Sequence, residues 1–149
     1  MGGLDMNKNY VVIMLFNKNK DKLLLVKRNK KPYKDCWNGI GGKIEENETA
    51  LEAAKRECME ETNIVLENPK LLVTYVYPES NIMNSNTNLN VIYDFVQEVA
   101  VKDNYEGHYE WKDIDFVMDA YSQEIAGLSN LNQFVKEIFN LENIKKFYE

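Results

Sequence analysis

The chain has 149 residues, enough for one domain with a substantial apolar core. Its 44% hydrophobic and 28% charged residues are the composition of a globular protein, and no run of about 18 apolar residues offers a membrane span. A formal net charge of −6 argues against a partner held by neutralising a long nucleic-acid backbone.

Met1 to Tyr10 is polar and lacks the apolar core of a secretion signal. Met6 can serve as a start as well as Met1. Cys36 and Cys58 are too few for a disulfide framework and have no zinc-site spacing, which suits a reducing cytoplasm. Tyr10 to Phe16, apolar and rich in β-branched residues, predicts a buried strand. Asn17 to Asp21 is turn chemistry, and Lys22 to Arg28 resumes as a second strand, so the pair reads as a hairpin. Basic residues gather here (Lys18, Lys20, Lys22, Lys27, Arg28, Lys30, Lys31, Lys34), either as a solvated face or as a means of steering a small polyphosphate.

A loop from Asn29 to Asp35 leads to a short glycine-punctuated stretch, Trp37 to Ile44. Glu48 to Thr62 is built of good helix formers without Gly or Pro. Asn47 or Thr49 can cap its start, and Asn63 can end it in a left-handed conformation. Ile64 to Leu66 and Lys70 to Tyr77 read as strands, Glu79 to Asn90 as a polar loop, and Val91 to Val101 as another strand. A loop at Lys102 to Gly107 and a short strand at His108 to Trp111 follow. Ser129 to Phe139 has helical apolar spacing, with Ser129 as its cap. The expected fold class is α/β (α+β), a mixed sheet and helices in a single domain spanning residues 1–149.

The chemistry concentrates between Gly39 and Ile64. Glu57 and Glu61 are four apart and Glu60 is three from Glu57, spacings that place three carboxylates on one side of a helix. Like charges that close oppose one another, and a hard divalent cation relieves the conflict through oxygen ligands it can share with substrate phosphates. A glutamate-rich helix is also, most commonly, a plain solvated face. Upstream, Gly39-Ile40-Gly41-Gly42-Lys43 permits a tight turn and close approach of backbone N–H groups to an anion.

Taken together these residues resemble the Nudix box: a glycine, five residues, Glu, seven residues, then Arg-Glu-apolar-any-Glu-Glu-any-Gly-apolar. Here it runs over residues 42–64, through Gly42, Glu48, Arg56, Glu57, Cys58, Glu60, Glu61 and Ile64. Asn63 replaces the final glycine, and Asn is the next-best residue at positive φ. Cys58 takes an apolar position and reads as core. The resemblance implies a Nudix-type α/β/α sandwich that hydrolyses a nucleotide with Mg²⁺ (or Mn²⁺) bound by Glu57, Glu60 and Glu61. Glu60 is alternatively the group that polarises the attacking water. Arg56 would hold the carboxylates, and Glu48 would tie the loop to the helix start.

The segment Trp37-Asn38-Gly39-Ile40-Gly41-Gly42-Lys43 resembles the one before the box in MutT-like enzymes acting on oxidised purine nucleoside triphosphates. That similarity implies that Asn38 meets a purine, although Asn38 can equally shape its turn. Gly41, Gly42 and Lys43 would then bind the rest of the substrate. Glu106, five residues before Trp111, is the expected extra metal ligand or base, with Glu110 and Glu98 as competitors. Asp119 and Glu124 are vague candidates for clamping the base. Tyr33, Tyr75, Tyr77, Tyr93 and Trp111 can stack a base but are more often core at such spacing, and His108 reads as a loop residue.

The expected reaction is cleavage of a nucleoside triphosphate, such as 8-oxo-dGTP, to monophosphate and pyrophosphate. ADP-ribose, a nucleotide sugar or a dinucleoside polyphosphate are alternative substrates. A nucleotide-sensing module without activity is the third reading. The expected partner is a small nucleotide, with no long nucleic acid and no membrane, and the chain as a monomer or homodimer.

Overall fold

The computed structural model describes residues 8–31, 33–78, 86–119 and 130–145. Its centre is strand β1 (Lys8–Asn17), which pairs in parallel with β6 (Asn86–Val96) and antiparallel with β2 (Lys22–Arg28). Both faces of β1 are covered, which is why Val11 to Phe16 is apolar without alternation. The hairpin from β1 to β2 is organised by Asn17. Its buried side-chain oxygen accepts from the N–H groups of Asp21 and Lys22, at 3.0 and 3.1 Å.

The glycine-punctuated stretch forms two short strands, β3 (Trp37–Asn38) against β2 and β4 (Ile40–Lys43) against β1. Strand β5 (Lys70–Pro78) borders β6, and β7 (Gly107–Asp113) borders β2, completing one mixed seven-stranded sheet. Helix α1 (Ala50–Thr62) packs on one face, over Val11, Ile13, Leu15, Leu24, Val26 and Ile40. The short helix α2 (Ile114–Met118) and α3 (Leu131–Lys145) cover the other, over Val12, Met14, Phe16, Leu23 and Leu25. This is the expected α/β/α sandwich.

Several boundaries differ from the sequence reading. Asn86 to Asn90 belongs to β6, not to a loop, because its asparagines find partners. Asn88 donates to the Asn9 side chain at 2.7 Å, and Asn90 bonds Thr74 and the Tyr10 carbonyl. The same strand stops at Val96, short of Val101. Ile64 to Leu66 alternates buried and exposed as a strand would, yet lies in no ladder among the described residues. Ser129, the expected cap, lies outside the described residues, as do Glu124 and most of the 79–90 stretch before Asn86.

Candidate active site

Helix α1 begins in a capping box. Thr49 accepts from the Glu52 N–H, and Glu52 returns a carboxylate to the Thr49 N–H. It ends at Asn63 in the left-handed region, φ 60°, with its N–H on the Met59 carbonyl. Between these ends, Ala53, Ala54 and Cys58 turn into the core. Burial pushes the Cys58 thiol up to about 11, which makes it a core residue and no nucleophile at neutral pH.

Glu61 turns inward with them and is 9% exposed. One oxygen, Oε1, accepts from the Tyr109 hydroxyl at 3.0 Å, while Oε2 is buried with no hydrogen-bond partner. Burial, together with the charges of Glu57 and Glu106, pushes this carboxyl up to about 8 against the opposing Tyr109 hydrogen bond. Glu57, half-buried, stands beside Glu61, and its charge is one of those that raise the Glu61 carboxyl. Burial raises the Glu57 carboxyl too, opposed by Arg56. Glycine at 42 is what admits Glu57: a Cβ there would collide with the Glu57 carboxylate. Glycine at 41 serves strand pairing instead, since a Cβ would meet the Val11 carbonyl oxygen.

Arg56 ties the box together. Its Nε and Nη2 fork onto Glu48 at 2.7 and 2.9 Å, and Nη2 also donates to the Lys43 carbonyl at 3.0 Å. Nη1 reaches Glu57 at 2.9 Å and Glu60 at 3.3 Å. Glu48, held down in pKa chiefly by Arg56, also accepts from the Glu45 N–H at 3.0 Å, so it joins the loop to the helix. Glu60 differs from its neighbours: its side chain is 57% exposed and faces Arg56 and solvent.

Among the three candidates for an extra carboxylate, Glu106 stands beside the site and acts electrostatically on Glu61. It is half-buried, 3.6 Å from Lys30. Glu110 is exposed, paired with His108 and Lys112. Glu98 serves the Asn17 turn and Lys22. His108 bridges Glu110 and Asp103, whose hydrogen bonds raise its pKa.

Asn38 lies half-buried opposite Val26, with its side-chain oxygen on the Gly39 N–H at 2.9 Å. Lys43 is exposed at the end of β4. Of the aromatics, Tyr93 is wholly buried, Tyr75 stacks on Phe134, and Trp111 donates to the Val99 carbonyl. Tyr33 and Tyr77 are exposed. Asp119 is exposed just beyond α2. Two residues the sequence reading passed over, Tyr109 and Asn104, touch Glu61 directly. No motif marks them; only the pairing of β7 with β2 carries Tyr109 to the α1 face.

Among the described residues, no three histidines, cysteines or carboxylates are already gathered as a metal cage. The chemistry of the group nonetheless fits a cation: an unpartnered buried oxygen on Glu61, a neighbouring Glu57 and a third carboxylate at Glu106.

A glycine strand pressed against an acid-bearing helix, inside this sandwich, defines a class. The NUDIX domain model matches residues 6–126, and the chain belongs to that family. Over 59 residues it is 41% identical to an ADP-ribose pyrophosphatase of Methanocaldococcus jannaschii, covering 40% of this chain and 35% of that protein. Over 102 residues it is 28% identical to the uncharacterized Nudix hydrolase YvcI of Bacillus subtilis, covering 66% and 63%. The matches therefore span about a third and just under two thirds of these curated relatives. The crystal structure of a MutT protein from Bacillus halodurans superimposes with a TM-score of 0.68 at 26% identity, over 88% of this chain and 81% of that one. No helix among the described residues is long and apolar enough to cross a membrane.

Proposed function

We propose that the protein is a divalent-cation-dependent hydrolase of a small nucleotide, cutting a phosphoanhydride by attack of water at phosphorus. The observation that carries this reading is Glu61 Oε2, an acid oxygen buried without a partner beside Glu57. A buried carboxylate oxygen without a partner is costly, and a second carboxylate beside it raises the cost. A cation shared by Glu57 and Glu61 removes that cost.

Bound Mg²⁺ or Mn²⁺ would supply charge neutralisation of the polyphosphate and polarisation of a water. Glu57 and Glu61 would hold it, with Glu60 and Glu106 completing the set or accepting the proton of the attacking water. Arg56 keeps Glu57 oriented through the fork on Glu48. Gly41, Gly42 and Lys43 border the phosphates. The water oxygen bonds phosphorus, the anhydride P–O bond breaks, and the leaving phosphate or pyrophosphate carries away the electron pair.

The substrate reading is a nucleoside triphosphate, with 8-oxo-dGTP as the first to test. Asn38 accepts the Gly39 N–H through its side-chain oxygen, so its NH₂ group is the end that would meet a purine. ADP-ribose stands as the second reading, on the name of the M. jannaschii relative. The test is turnover with Mg²⁺ on 8-oxo-dGTP, dGTP, ADP-ribose and a dinucleoside tetraphosphate, for wild type and for Glu57→Gln with Glu61→Gln. Metal-dependent pyrophosphate release from a triphosphate, lost in the double variant, is expected. Release of AMP from ADP-ribose alone would move the substrate to the second reading, and silence at high enzyme concentration would favour a sensing module.

A further inference from the structure

Two neutral side chains outside the box hold the end of α1 and the Glu106 turn together. Tyr109 is 4% exposed on β7, opposite Val26, and so projects from the α1 face of the sheet. Its hydroxyl donates to Glu61 Oε1 at 3.0 Å. Asn104 donates through Nδ2 to the Glu61 backbone carbonyl at 2.9 Å, one of the last-turn carbonyls that an α-helix leaves unpaired. Through Oδ1 it accepts the Glu106 N–H at 2.8 Å and stands 3.4 Å from the Tyr109 hydroxyl.

The turn that carries Asn104 and Glu106 is closed by backbone bonds. Asn104 and Gly107 exchange two backbone hydrogen bonds of 3.1 Å, and Gly107, at φ 154°, lies so close to β2 that a Cβ would strike the Lys27 carbonyl oxygen. Only glycine fits there. The result is a short chain of contacts from β2 through the turn to both the backbone and the carboxylate of Glu61.

From this geometry we infer that Tyr109 and Asn104 are positioning residues for the cation. Tyr109 occupies one oxygen of Glu61 and thereby presents the other, Oε2, while Asn104 sets where Glu106 stands relative to Glu61. The inference rests on the reading that Glu57 and Glu61 hold a divalent cation. The chemical type of the two residues matters. A lysine or arginine at either position would orient Glu61 but also neutralise it and compete with the cation. A phenol and an amide orient without neutralising, so the group keeps its demand for positive charge. Partners of this kind around a metal ligand typically carry about 10–100-fold in metal affinity.

The experiment is a Mn²⁺ titration of the full chain, followed by electron paramagnetic resonance of the free ion, alongside thermal melts in EDTA. Wild type, Tyr109→Phe, Asn104→Ala and the Glu57→Gln, Glu61→Gln double variant are compared. Tyr109→Phe is expected to melt cooperatively in EDTA yet bind Mn²⁺ roughly 10–100-fold more weakly. Its turnover should be regained in part as Mn²⁺ is raised. Asn104→Ala, the second arm should Tyr109→Phe fail to fold, is expected to lower kcat more than it raises KM, because it displaces Glu106 while leaving substrate contacts in place. Mn²⁺ affinity and kcat within twofold of wild type in the folded variants would overturn the inference while leaving the cation reading intact. A wild type that binds no more Mn²⁺ than the double variant would overturn both.

Discussion

Replacing Glu61 with Gln should make the metal-free protein more stable while removing its response to the cation. Glu61 is buried, and its carboxyl is pushed up to about 8 from an ordinary value of 4.5, with burial the largest cause. Between those two pH values the folded chain holds a proton that the unfolded chain has released, so stability falls as pH rises through the window. The contribution is complete below 4.5 and lost by about 8. At pH 7 the deficit amounts to about 3 kcal/mol on this reckoning. Gln keeps the shape and an oxygen for the Tyr109 hydroxyl, and its NH₂ can donate to Glu57. In EDTA at pH 7, Glu61→Gln should gain about 2–3 kcal/mol, a rise of roughly 5–10 °C in Tm for a chain of this size. The gap should close toward pH 5, and Mg²⁺ should raise the Tm of wild type alone. Melts followed by circular dichroism from pH 5 to 8, with EDTA or Mg²⁺, measure all of this. A variant no more stable than wild type at pH 7 in EDTA, or a difference independent of pH, would refute the reasoning.

Gly42→Ala should cost about 1 kcal/mol or less in stability, since the atoms it meets end a side chain that can swing away. By displacing Glu57 it should cost at least about tenfold in Mn²⁺ affinity, read by the same titration. Arg56→Lys loses the fork on Glu48 and the bond to the Lys43 carbonyl, which a point charge cannot reproduce. Urea unfolding should report a loss of about 2 kcal/mol. Asn63→Val, forced to φ 60°, should cost about 1–2 kcal/mol, whereas Asn63→Gly should stay within about 0.5 kcal/mol of wild type.

The parts of the molecule legible in the sequence are those where one local rule dominates. The two-faced strand β1 announces itself by an unbroken apolar run, and α1 by propensity, capping and the box. Gly42 belongs to a pattern whose physical reason, room for Glu57, appears only once β4 lies under the helix. What was illegible depends on partners distant in the chain. Asn86 to Asn90 carries loop composition, but β1 and β5 on either side satisfy its amides, and tertiary pairing overrides propensity there. Helix α2 is five residues long, too short for a 3.6-residue period to register. Tyr109 looks like any strand aromatic until β7 pairs with β2.

Glu60 shows how much finer the spacing argument can be made. Three glutamates at i, i+3 and i+4 share one side of a helix, but a side is wide. Successive residues turn by about 100°, so Glu60 and Glu61 cannot point the same way. Measured from the stripe made by Ala53, Ala54 and Cys58, Glu61 falls near its middle, Glu57 within it, and Glu60 about 90° away from its centre. The apolar residues, read together with the acids, therefore separate an inward-facing pair from a rim carboxylate, and the structure has that arrangement, with Glu61 buried, Glu57 half-buried and Glu60 exposed. The separation suits two tasks. On the proposed function, Glu57 and Glu61 on the inner side would hold the cation, while Glu60, at the rim and open to solvent, would be the better placed to take a proton from water and return it to solvent.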